Sequence, residues 1–189
     1  MKYLRFILPL GLIIKLLSSC SSEYPVEDFL YAHLEDQFSI QSMNLESTLD
    51  SLENLYLEEG LLPSTHPQHY RGYYQANIDS GYVRQIQSDF LGEIQSKVSL
   101  TQQELETIVQ EHFDDITYSS SKFGKINRRI DSLVKATGQI ASSTVASSHL
   151  TILDNHDFTH PYYRANILLS LQWLYYDKYI KRFKGKNDN

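Results

Sequence analysis

Apolar residues recur at helical spacing along most of this chain. Val26, Phe29, Leu30, Leu34 and Phe38 share one face of an amphipathic helix, the signature of a 3.6-residue period. Glu27 and Asp28 in its first turn suit the positive end of the helix dipole. Leu45, Leu49, Leu52 and Tyr56 predict a second helix over 44–59, with Gly60 as its C-terminal stop and Pro63 barring a restart. Pro67 opens a third, whose Tyr70, Tyr73, Tyr74 and Asn77 share a face; Gly72 weakens it and Asp79-Ser80-Gly81 breaks it. Val83, Ile86, Phe90, Ile94 and Val98 predict a fourth. Thr101-Gln102-Gln103-Glu104 matches a capping box ahead of a helix carrying Leu105, Ile108, Val109, His112, Phe113 and Ile116.

"TYSSS" then reads as a loop, and Phe123, Ile126, Ile130, Leu133 and Val134 as a helix ending near Gly138. The serine-rich stretch 139–158 reads equally as a loop, a short strand pair or a poor helix. The last helix is predicted over 161–183, apolar on several sides, carrying the only tryptophan, Trp173, and therefore central. The sum is an all-α fold: an irregular bundle of about six helices, with a loop-rich segment near 139–160 and a single helical domain over 26–189.

The first residues follow a different logic. Lys2 and Arg5 precede an apolar run over 6–14, extended by Leu16-Leu17 and interrupted by Lys15. The run is shorter than the ~20 apolar residues of a membrane span, and small residues follow it, as in an export signal. Leu17-Ser18-Ser19-Cys20 resembles the lipobox of bacterial lipoproteins. That resemblance covers about the first twenty residues and names a processing class rather than a functional family. It implies a diacylglycerol thioether on Cys20 and cleavage just before it. Residues 1–19 are then a signal peptide and 20–25 a lipidated tether. Several acyl chains on one residue hold firmly, since each buried CH₂ contributes ~0.8 kcal/mol. Ser21 after the cysteine resembles outer-membrane rather than retained lipoproteins. The membrane is thus the expected partner, through covalent lipid on Cys20, with no other cofactor.

Charge narrows the classes. Without the signal's three basic residues, the remainder carries 14 basic and 23 acidic side chains, a net charge of −9. That balance argues against nucleic acid as a partner. Residues 20–60 hold ten acids and no Lys or Arg, whereas Lys122, Lys125, Arg128, Arg129 and Lys135 form a basic stretch, and Lys178 to Lys186 a basic tail. Opposed helices pairing within a bundle explain this, as does a tail meeting anionic headgroups or a partner. With Cys20 lipidated no thiol remains, which excludes disulfides and thiolate metal sites. Fourteen tyrosines suit half-buried surfaces and binding faces.

Two constellations bear on chemistry. "HDFTH" places His156 and His160 four apart beside Asp157, with His149 and Asp154 nearby, a candidate metal set. Pro161 follows at once, so the competing reading is a loop in which Asp157 or Thr159 caps the last helix. The second is an echo between 65–78 and 159–167, which share Thr-His-Pro, Tyr-Arg and Ala-Asn-Ile. Each copy puts His, Tyr and Arg at a Pro-opened helix start, where unpaired N–H groups and the dipole attract anions. His66, Tyr70, Arg71, His160, Tyr163 and Arg164 are the candidate anion-binding residues. The competing reading pairs those arginines with local acids. The row Glu46, Asp50, Glu53 reads as a solvated face. These features lead to a lipid-anchored envelope protein that binds a protein partner or an anionic ligand. The alternative is a metal-binding protein or metal-dependent hydrolase using the 149–160 cluster.

Overall fold

Proline starts three of the helices, and side-chain caps or left-handed residues punctuate most of the others. The computed structural model describes residues 22–80, 86, 88–98, 102–138 and 141–171. The described residues form nine α-helices and one 3₁₀ turn, with no strand among them. They run α1 (Pro25–Ile40), α2 (Leu45–Glu58), α3 (Pro67–Ser80), α4 (Asp89–Lys97), α5 (Gln102–His112), α6 (Asp115–Ser120), α7 (Lys122–Thr137), α8 (Ser142–Ile152), the 3₁₀ turn Asp157–Thr159 and α9 (Pro161–Leu168). Among the described residues no helix is long and apolar enough to cross a membrane.

In α1, α2 and α7 the core follows the predicted stripes, whereas Phe90 and Ile116, placed on such stripes, are exposed. Val26, Leu30, Leu34 and Phe38 of α1 are fully buried, as are Leu49, Leu52 and Tyr56 of α2. On α7, Phe123, Ile126, Ile130 and Val134 face inward. Each fully buried side chain of this kind contributes about 1.5–3 kcal/mol relative to exposure. Asn44 caps α2, its Oδ1 accepting from Ser47 N at 2.8 Å. Gly60 and Gly138 take the left-handed conformation at φ +67° and +68°, turning the chain out of α2 and α7.

Four expectations are corrected. The helix predicted through Ile116 stops at His112. Asp114 then caps a new one, accepting from Thr117 N at 2.6 Å, so "TYSSS" lies largely within α6 and is not a loop. Of the three readings of the serine-rich stretch, the helix is the one found, over 142–152. Its hydroxyls bond back to their own helix, Ser148 to Thr144 O and Thr151 to Ser147 O, both at 2.7 Å. That satisfies the hydroxyls internally, and the small side chains let α8 lie close along α3, its most extensive neighbour. The last helix is broken within its described part: α9 ends at Leu168, and Ser170 turns left-handed at φ +58°. Its buried hydroxyl lies 3.3 Å from Tyr56 Oη. Trp173, the basic tail, Thr101 and Val83 lie outside the described residues.

The tyrosines are the fourth correction. Tyr56, Tyr73, Tyr74, Tyr162 and Tyr163 are among the largest fully buried side chains and form the centre of the core rather than a binding face. Their rings meet edge to face, Tyr56 on Tyr73 and Tyr162 on Tyr163, the geometry aromatic quadrupoles favour.

Candidate functional site

Two polar clusters tie α9 and the 3₁₀ turn to the N-terminal helices. The first is built on α2. Glu46, Asp50 and Glu53 recur at intervals of four and three, so they line one side of the helix. Arg164 of α9 reaches all three: Nη1 donates to Glu46 at 3.1 Å and Nη2 to Asp50 at 2.6 Å. Nε and Nη2 fork onto the two oxygens of Glu53, each at 3.3 Å. Tyr70 of α3 donates to the same Glu53, and Tyr31 of α1 to Glu46. The acidic row is therefore a clasp rather than a merely solvated face. Burial opposes the charge on Arg164, but Asp50 and Glu53 outweigh it and raise its pKa. Three carboxylates around one guanidinium leave the locality negative.

The second cluster surrounds Asp157, which is fully buried. Its Oδ1 accepts from Tyr24 Oη at 2.8 Å and from Lys122 Nζ; its Oδ2 accepts from Asp154 N at 2.7 Å. Beside it, Glu27 is also buried, with Oε1 accepting from Tyr163 Oη at 2.8 Å and from the Phe123 amide at 2.7 Å. Glu27 thus supplies a carboxylate from α1 to the open N-terminus of α7, where free N–H groups and the dipole favour it. The His160 ring packs tilted against that of Tyr24, with centres 4.8 Å apart, and its Nε2 lies 3.0 Å from Asp28. Burial would raise the Asp28 pKa, yet hydrogen bonds from Ser22 and His160 prevail and lower it. Burial first, then Asp157, pushes the Tyr24 phenol up. Within the stretch expected as a tether, Ser22 bonds Asp28 and Tyr24 is buried against Asp157.

Of the candidate anion-binding residues, Tyr70 and Arg164 converge, but on Glu53. Arg71 instead donates to the Leu150 and Leu153 carbonyls at the C-terminal end of α8, a charge-assisted cap. Tyr163 is turned inward onto Glu27, His160 caps α9 through Nδ1 to Tyr162 N at 3.2 Å, and His66 is exposed beside His69. His160, not Asp157 or Thr159, is the capping side chain.

The candidate metal residues are not gathered as a ligand set, and among the described residues no three His, Cys, Asp or Glu are placed to hold an ion. Asp157 has both oxygens engaged, and Asp154 Oδ1 accepts from His156 N at 2.7 Å. His149 is buried, stacked on Tyr74 at 4.7 Å, with Nδ1–H donating to Val145 O at 2.9 Å. Burial outweighs that bond and pushes its pKa down to about 4. Cys20 lies outside the described residues.

A closer echo marks the core. "YYQANI" at 73–78 and "YYRANI" at 162–167 match in register. In both, the two tyrosines and the asparagine are buried, and Tyr74 Oη donates to Asn166 Oδ1 at 3.2 Å, joining the two copies. Alignment on Thr-His-Pro hides this match; alignment on Tyr-Tyr reveals it. No protein-family model, curated protein or solved structure matches this chain.

Proposed function

We propose that this chain is a lipid-anchored protein of the bacterial envelope, held at the outer membrane through Cys20, whose helical body works as an interaction module. The observation that carries the reading is the closeness of the lipobox-like quartet to a locked fold. Only Ser21 separates Cys20 from Ser22, which bonds Asp28, and Tyr24 already bonds the Asp157 that also pairs with Lys122. Acyl chains on Cys20 would hold such a body against the bilayer with little slack. Internal pairing of Arg164, Arg71 and Asp157 favours a rigid scaffold that presents a surface, with a protein as partner, over a reaction centre or an anion pocket at the arginines.

The test is labelled-palmitate incorporation with detergent partitioning, comparing the full chain with Cys20→Ala. Label in the wild type and none in the variant, which should also leave the detergent phase, supports the anchor. Equal label and equal partitioning overturn it. Fractionation of the labelled protein then reads the outer-membrane assignment separately.

A further inference from the structure

We propose that the solvent side of α7 is a docking surface for an anionic membrane face, a reading that rests on the anchor at Cys20. Phe123, Ile126, Ile130 and Val134 occupy the core side of this helix. On its other side Lys125, Arg128, Arg129 and Lys135 are all exposed, and Asp131, the one acid in α7, is half-buried. This concentration of cations runs against the overall composition, in which acids prevail. From Lys125 to Lys135 the stripe extends over ~15 Å of the helix.

The position of the stripe makes the membrane the fitting partner. Lys122, the first residue of α7, bonds Asp157 and stands 5.5 Å from the Tyr24 ring centre. Tyr24 is only four residues beyond Cys20, a span of at most ~14 Å of chain. A lipidated Cys20 would therefore keep the start of α7 on a short leash from the headgroups, from which it can come within the one Debye length, ~8–10 Å, over which anionic lipid attracts basic side chains. Fixed there, a basic face gains attraction to anionic lipid with little further ordering cost, and supplies the second signal that strengthens an acyl anchor. Acidic soluble proteins share the charge but not the proximity to the anchor.

The experiment compares the full chain with the triple variant Lys125→Gln, Arg129→Gln, Lys135→Gln. Arg128 is retained because it also bonds the Ser119 carbonyl. Each protein is sedimented with vesicles of phosphatidylcholine alone and of phosphatidylcholine with an equal amount of phosphatidylglycerol. Wild type is expected to pellet more with the anionic vesicles, an excess that falls with salt and drops about fivefold for each charge removed. A second variant, Lys125→Arg, Arg129→Lys, Lys135→Arg, should keep the excess. Equal pelleting of wild type and the glutamine variant overturns the proposal, as does equal pelleting of wild type on both vesicles. Palmitate labelling of the same proteins separates the two readings. Label without an anionic preference leaves the anchor and removes the docking surface, whereas a preference without label removes the anchor and leaves the basic face.

Discussion

Arg164 and Glu53, 111 positions apart, meet as a two-pronged pair that joins the last described helix to the second. Both side chains are largely withdrawn from solvent, at 21% and 13% exposure. Forked guanidinium–carboxylate pairs are the stronger kind of ionic contact. Removing one partner here leaves the other shielded and uncompensated.

Arg164→Ala should therefore destabilise the fold by about 1–3 kcal/mol, between the exposed and the buried limits for ion pairs. Urea unfolding of the variant checks the magnitude. Arg164→Lys should recover little, because an ammonium cannot reproduce the fork. A loss no larger than that of Asp50→Ala, whose carboxylate is 68% exposed, would place the energy elsewhere.

Two glycines give opposite signs. A Cβ on Gly124 would lie 2.0 Å from the Tyr118 carbonyl oxygen, where α6 turns into α7. Gly124→Ala should cost about 2 kcal/mol or more despite its gain in helix propensity. Gly72, inside α3, has no atom within 4 Å of its would-be Cβ. Gly72→Ala should stabilise by about 0.5–1 kcal/mol. Melting curves of the pair, measured together, test the packing of α6 on α7 against general helix preference.

Acid should weaken the protein through His149. In the unfolded chain its imidazole takes a proton near pH 6.5; folded, it resists until about pH 4. Between those values the unfolded state binds more protons, so stability falls as pH falls, by on the order of 3 kcal/mol across the window. His149→Phe keeps an aromatic ring against Tyr74 and has no proton to take up. Its stability at neutral pH should be lower for the lost bond to Val145, but its slope between pH 4 and 6.5 should be flatter. An unchanged slope would assign the effect to other groups.

The helix stripes were legible because burial on one face imposes a period on neighbouring residues. Leu45, Leu49, Leu52 and Tyr56 show it plainly, and all four are buried. The buried polar links leave no such trace. Glu27 finds Tyr163 across 136 positions, and nothing local to either residue announces the pairing. Pro161 and the echo correctly drew attention to Arg164, but a charged residue at a helix start looks the same whether its counterion is a ligand or the protein itself. α8 hid behind its serines, whose low helix propensity reflects competition from the very hydroxyl-to-backbone bonds that here serve the helix. Ser170 ended α9 in a conformation that side-chain pattern does not encode.

The crowding of phenols in the core gives the molecule a built-in optical alarm for alkali. Burial holds Tyr74, Tyr162 and Tyr163 neutral well beyond the pH at which an exposed phenol ionises, and raises Tyr56 too, against its hydrogen bond to Ser170. Past about pH 10 the unfolded chain sheds those protons while the folded one keeps them, so rising pH draws the protein toward unfolding. Phenolate absorbance near the red edge of the tyrosine band should then climb in two stages, a gradual one from exposed rings and an abrupt one when the core opens. The abrupt stage should coincide with loss of the helical signal, so that one cuvette reports both the ionisation and the collapse that permits it.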